Sequence, residues 1–190
     1  MTVFVIAAIL VVVVILGFAA SVERRVRRYR ASTAASLTLL TVELERRFVQ
    51  LEPLIAAVEP SGLNSELVRQ LVGARSWSKA VRERELGLPV QAAAENALSA
   101  AVHAVLSEAD TRPNLKSNWA IQGPAGELGT TEQRIAGAVR VYNDNAYRLA
   151  SLRSTFPTKL VAKAMKVTAP DPFVEHIPLV ANTQPQDVPA

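Results

Sequence analysis

Residues 37–58 read LTLLTVELERRFVQLEPLIAAV, and the spacing of their apolar side chains decides the fold class. Leu37, Leu40, Leu44, Phe48, Leu51, Ile55 and Val58 recur at steps of three and four, which places them on one stripe of an α-helix. Glu43, Glu45, Arg46, Arg47 and Gln50 fall to the other side and read as its solvated face. Pro53 is expected to kink this helix, and Pro60, Ser61 and Gly62 to end it. Alternation of period two is nearly absent from the chain, so a sheet has no pattern to build on.

Upstream, no helix breaker separates this stretch from residues 3–20, VFVIAAILVVVVILGFAA, 18 positions without a charge. At ~1.5 Å per residue the run extends roughly 27 Å, the thickness of a bilayer's hydrocarbon core. In water its valines would favour a strand. In lipid a lone strand leaves every backbone polar group unpaired, so the helix wins. Residues 1–22 are therefore expected to form a transmembrane anchor that runs on into the first helix of the domain. A cleaved signal peptide is the alternative, suggested by Gly17, Ala19, Ala20 and Ser21 but disfavoured by the length of the run and the lack of a basic side chain before it.

Residues 23–30 form a basic juxtamembrane segment in which Arg24, Arg25, Arg27, Arg28 and Arg30 outweigh Glu23. By the positive-inside rule the N-terminus lies outside and the domain that follows is cytoplasmic. The chain has 190 residues and a formal charge of +4. Residues 31–190 hold 16 basic and 16 acidic residues, so the excess belongs to the flank. That removes the main electrostatic argument for nucleic-acid binding. With no cysteine in the chain, disulfides, thiolate nucleophiles and cysteine-ligated metals are excluded.

Downstream, Asn64 or Ser65 caps a second helix running towards Leu86, and a third covers residues 90–108. A turn at 110–113 and a short apolar piece at 115–122 follow. Residues 123–129, with three glycines and Pro124, read as a loop. Thr130 or Thr131 would then cap a fourth helix with Ile135, Val139, Tyr142, Ala146 and Leu149 inside, followed by a short helical stretch at 160–167. Residues 170–190 hold five of the eleven prolines and are expected to be a disordered tail, leaving 31–169 as the folded domain. The expected architecture is all-α, an N-terminal transmembrane helix followed by an antiparallel four-helix bundle.

Candidate chemistry is sparse. His103 has no acidic residue three or four positions away, and His176 lies in the tail, so no metal pair forms on a helix. The glycine-rich stretch lacks the lysine of a phosphate loop. No catalytic residue, cofactor site or metal site emerges, and the protein is expected not to be an enzyme. Trp77 and Trp119 read as packing anchors, while Leu152 and Val161 are candidates for an exposed apolar patch. Tyr142, Asn143 and Tyr147 could form an interaction site; the plainer account packs both tyrosines between helices and lets Asn143 bond locally.

Several segments occur together in a recognisable order. Val42 to Phe48 lead to Pro53; Glu95-Asn96-Ala97-Leu98-Ser99 and Pro113-Asn114-Leu115-Lys116 follow. Then come Glu132-Gln133-Arg134-Ile135-Ala136, Val141-Tyr142-Asn143, Tyr147, Phe156-Pro157 and Asp171-Pro172-Phe173-Val174-Glu175. Over about residues 1–177 this order resembles the LemA family of bacterial membrane proteins. The resemblance implies a single span carrying an antiparallel four-helix bundle, with a helix continuing across 123–129 and no catalytic residues to carry over. The expected role is a membrane-anchored scaffold or adaptor in a bacterial cell membrane, with a protein partner or a second copy of the chain. The alternative is a protein that remodels or senses lipid through its anchor and basic flank.

Overall fold

The computed structural model describes residues 1–174, and these are helical with no strand among them. Helix α1, Thr2–Val58, is one unbroken rod that contains both the apolar run and the periodic stretch, and it continues through Pro53. A single 3₁₀ turn, Glu59–Ser61, follows, and Gly62 takes the left-handed conformation that lets the chain reverse. Helix α2 is Ser65–Glu83, with the Asn64 side chain accepting from the Glu66 N–H as its cap. Helix α3 is Leu88–Thr111, α4 is the short Pro113–Lys116, α5 is Trp119–Ser154 and α6 is Thr158–Ala164.

Hydrogen bonds between helices fix their directions. Gln50 on α1 accepts from Thr131 on α5, and Ser36 accepts from Asn145; moving 14 residues down α1 moves 14 up α5, so the two are antiparallel and in step. Helices α2 and α3 are likewise antiparallel, tied by the Asn64 N–H to Glu108 and by Ser78 to Glu95. Leu51, Leu54 and Val58 of α1, Leu71 of α2, Leu98, Val102 and Val105 of α3, and Ile121 and Leu128 of α5 share one apolar core. A second cluster joins Leu40 and Leu44 to Ile135, Val139 and Tyr142. A third, nearest the N-terminal run, packs Val22 and Val26 of α1 against Leu149 and Leu152 of α5 and Ala162 of α6. The packed domain thus begins at Val22, within the segment read as anchor.

Residues 123–129 are helical, not a loop. Glycine costs about 1 kcal/mol each in a helix interior relative to alanine, so three of them cost ~3 kcal/mol before Pro124 is counted. Burying Ile121 just before the stretch, Leu128 within it and Ile135 beyond it returns roughly 1.5–3 kcal/mol each. That is of the size of the local cost with Pro124's ~3 kcal/mol included, and α5 runs the length of the domain.

Other expectations are corrected by what the core demands. Arg47, read as solvated, is 2% exposed, and Glu43 is buried beside it on α1. Phe48 is only half-buried, its ring covered by the guanidinium groups of Arg75 and Arg82, each 4.5 Å from the ring centre. Trp77 and Trp119 do not anchor packing: both are exposed, Trp119 to 81%, and Trp77 lies inside α2 away from its ends. Leu152 is buried and Val161 packs against the third cluster, so neither belongs to an outer patch. Residues 170–174 are not loose, because Phe173 is buried in the second cluster; the rest of the expected tail lies outside the described residues.

By contrast, the apolar run stands clear of the domain. Val3, Phe4, Ile9 and Val14 are all exposed, and the stretch is long and apolar enough to cross a membrane.

Candidate functional site

Polar groups gather in three places. The first lies inside the domain, where Arg47 interrupts the apolar stripe of α1 between Leu44 and Leu51. Its guanidinium donates to the Glu95 carboxylate on α3, to the Glu95 carbonyl at 3.3 Å and to Ser99 Oγ at 2.5 Å. Ser78 of α2 donates to the other carboxylate oxygen of Glu95 at 2.7 Å. Three helices are thus joined by one charged, hydrogen-bonded layer that separates the first apolar cluster from the second. Along α3 and α5, His103 Nε2 lies 3.1 Å from Glu132 Oε2. The acidic neighbour that helical spacing along α3 does not supply stands on another helix, in an orientation that makes no hydrogen bond.

The second place contains two of the residues singled out from the sequence. Asn143 acts as a surrogate peptide: its Oδ1 accepts from the Phe173 N–H at 2.8 Å and its Nδ2 donates to the Phe173 carbonyl at 2.9 Å. Tyr142 Oη donates to the Asp171 carbonyl at 2.7 Å, and Asn96 Nδ2 donates to the Val174 carbonyl at 2.9 Å. Burial holds the Tyr142 phenol above its ordinary pKa, and the Asp171 carboxylate pushes in the same direction. These groups clasp the end of the described chain onto α3 and α5. Asn143 therefore does not bond locally, and Tyr147, exposed to 74%, takes no part in the clasp.

The third place is the base of the domain, beside the apolar run. Arg24, Arg25, Arg27, Arg28 and Arg30 are exposed on α1. They have different tasks. Arg27 pairs with Glu23 one turn away at 2.7 Å. Arg30 donates to the Met165 and Lys166 carbonyls at 3.2 and 3.3 Å, satisfying groups left open at the end of α6 and fastening that helix to α1. Arg25 lies over the Tyr29 ring, 5.9 Å from its centre. A hydrogen bond with Arg25 is the main reason the Tyr29 phenol is held below its ordinary pKa, with Arg148 acting in the same sense. Arg24, Arg25 and Arg28 share an open cleft with Ser21 and Tyr29.

A signal for the buried layer was present in the sequence: Leu40, Leu44, Arg47 and Leu51 continue the steps of four and three as regularly as the path through Phe48. Charge type outweighed position in that reading. Glu95 carries the same mark on α3, lying three residues before Leu98 on the stripe that continues through Val102 and Val105, and the arginine it meets makes its burial tenable.

The fold and these sites define an all-helical protein whose packed domain grows from one long, N-terminally apolar helix. The family model described as LemA family matches residues 36–186, and the chain belongs to that family. Comparison with curated proteins finds no match.

Proposed function

We propose that this protein is a membrane-anchored, non-enzymatic scaffold. Its α1 crosses a bacterial cell membrane once, and α1, α2, α3 and α5 form an antiparallel four-helix bundle on the cytoplasmic side. The observation that carries this reading is the continuity of α1, which joins an exposed apolar run to a domain core without a linker. A rod of that kind holds a protein surface at a fixed place over a membrane. In the interior, Arg47, Glu95, Ser78 and Ser99 hydrogen-bond to one another, and Trp119 and Trp77 offer exposed aromatic surface of the type that dominates protein interfaces.

The reading is tested in cells with a photo-crosslinking residue at position 116, exposed three residues before Trp119, and, separately, a single cysteine at Ser65. A discrete adduct with another protein, lost when Trp77 and Trp119 are both changed to alanine, supports the scaffold. No adduct from position 116 counts against it. Protection of the Ser65→Cys thiol from an impermeant maleimide until lysis supports the cytoplasmic side, and labelling of intact cells overturns that orientation. A second reading, direct action on lipid, is favoured by Arg24, Arg25 and Arg28 standing exposed beside the apolar run.

A further inference from the structure

The net balance of residues 31–190 hides a segregation. From Asn145 to Pro170 there are five basic side chains, Arg148, Arg153, Lys159, Lys163 and Lys166, and no acidic one. The fold gathers four of them: Arg153, Lys159, Lys163 and Lys166 line one cleft of about 360 Å³ between the end of α5 and α6. At the tip of the same turn, Phe156 is 77% exposed and Leu160 63% exposed. Single exposed apolar residues are ordinary on protein surfaces. Two beside an unbalanced basic cluster need a further fact to give them meaning, and the helix register supplies it.

Asn145 lies level with Ser32 and Ser36 of α1, to which it donates. Helices α1 and α5 run antiparallel and in step, so Phe156, 11 residues further along, lies level with residues 21–25. At ~1.5 Å per residue that is roughly 2–8 Å beyond Ala20, the end of the apolar run. The headgroup layer of a bilayer is about 5–7 Å thick on each side. Helix α6 then turns back, since its far end is fastened to Arg30. The turn is therefore the part of the α5–α6 hairpin nearest the membrane.

We propose that the α5–α6 turn is a second membrane contact. Phe156 and Leu160 enter the headgroup–acyl boundary of the leaflet that α1 leaves, while Arg153, Lys159 and Lys163 bind anionic phospholipid headgroups. Apolar side chains at that depth gain by leaving water, and each nearby lysine or arginine adds attraction to an anionic surface. The inference rests on α1 spanning the bilayer and not on any protein partner. Its consequence is that the domain meets the membrane at two points, and that lipid charge sets how firmly the second is held.

The test uses the full chain in nanodiscs. Because the protein has no cysteine, a single thiol can be placed at will. An environment-sensitive dye is attached in turn to Phe156→Cys, to Val13→Cys in the apolar run and to Ser65→Cys at the far end of the domain. Quenching by acrylamide is then measured in neutral phosphatidylcholine and in discs containing phosphatidylglycerol. The expected result is a dye at 156 that is blue-shifted and shielded relative to 65, more strongly with phosphatidylglycerol. Adding Lys159→Gln and Lys163→Gln should lower the inserted-to-free ratio by about fivefold per lysine. A dye at 156 as accessible as that at 65, with 13 shielded, overturns the inference and leaves the span standing. An accessible dye at 13 overturns both. Equal shielding at 156 in neutral and anionic discs also overturns it.

Discussion

Arginine occupies two opposite settings in this molecule. Arg47 is buried among three helices, where its terminal nitrogens bond to Glu95 and Ser99, Ser78 bonds to Glu95 in turn, and Nε alone of its nitrogens makes no hydrogen bond. Arg24, Arg25 and Arg28 stand in the open at the base of the domain, with solvent for most of their surroundings. The same cation specifies which helices meet in one place and faces outward in the other. The difference lies in the cost of removing water. A buried guanidinium must be matched almost completely or it destabilises the fold, whereas an exposed one is tolerated in nearly any geometry and remains available to a ligand.

The contrast is broken most directly at Arg47. Arg47→Ala should leave the Glu95 carboxylate buried without its cation and lower stability by about 3–5 kcal/mol in denaturant unfolding of the full chain. Combining Arg47→Met with Glu95→Leu should recover most of that loss, because the layer's net contribution is far smaller than the penalty for half of it. A double variant no better than Arg47→Ala would show that the layer is not the self-contained unit described.

The clasp should give the next largest effect. Asn143→Ala removes both hydrogen bonds to Phe173 and should cost about 1–3 kcal/mol, with hydrogen exchange at the Phe173 amide rising before that of the helices. Tyr142→Phe should cost about 1 kcal/mol at neutral pH. It should also change the alkaline limb of stability. The folded protein holds the Tyr142 proton above the ordinary value, so its contribution is complete below a pH of about 10 and is lost as pH rises beyond that. The gap between the parent and Tyr142→Phe curves should therefore narrow on going alkaline.

Smallest of all should be the stability change from Arg24→Gln, Arg25→Gln and Arg28→Gln together, within about 0.5 kcal/mol. A larger loss would mean that the basal arginines are structural after all, and the comparison would fail from its other side.

Much of this organisation was legible in the residues. The helical stripe of 37–58, the apolar run and the arginine flank each carry a local pattern strong enough to read alone, and α1 holds all three. What could not be read depends on partners distant in the chain. Helix α5 crosses its glycines because Ile121 and Leu128 find a core 60 or more residues upstream in Leu51, Leu54 and Val58. His103 meets Glu132 across two helices, and Asn143 meets Phe173 thirty residues away. The basic rim of α6 was hidden by arithmetic, since a balanced total conceals where each sign accumulates.

Helix α1 also has a mechanical meaning. The 38 residues from Ser21 to Val58 form a helical arm of about 57 Å. On the proposal that α1 spans a bilayer, one degree of tilt in the span swings the arm's far end by about 1 Å, and an ordinary tilt of ~20° displaces it by roughly 20 Å. Tilt, which responds to bilayer thickness as well as to the anchors and packing around the helix, would thereby become a lateral coordinate for everything at the far end, Trp119 included.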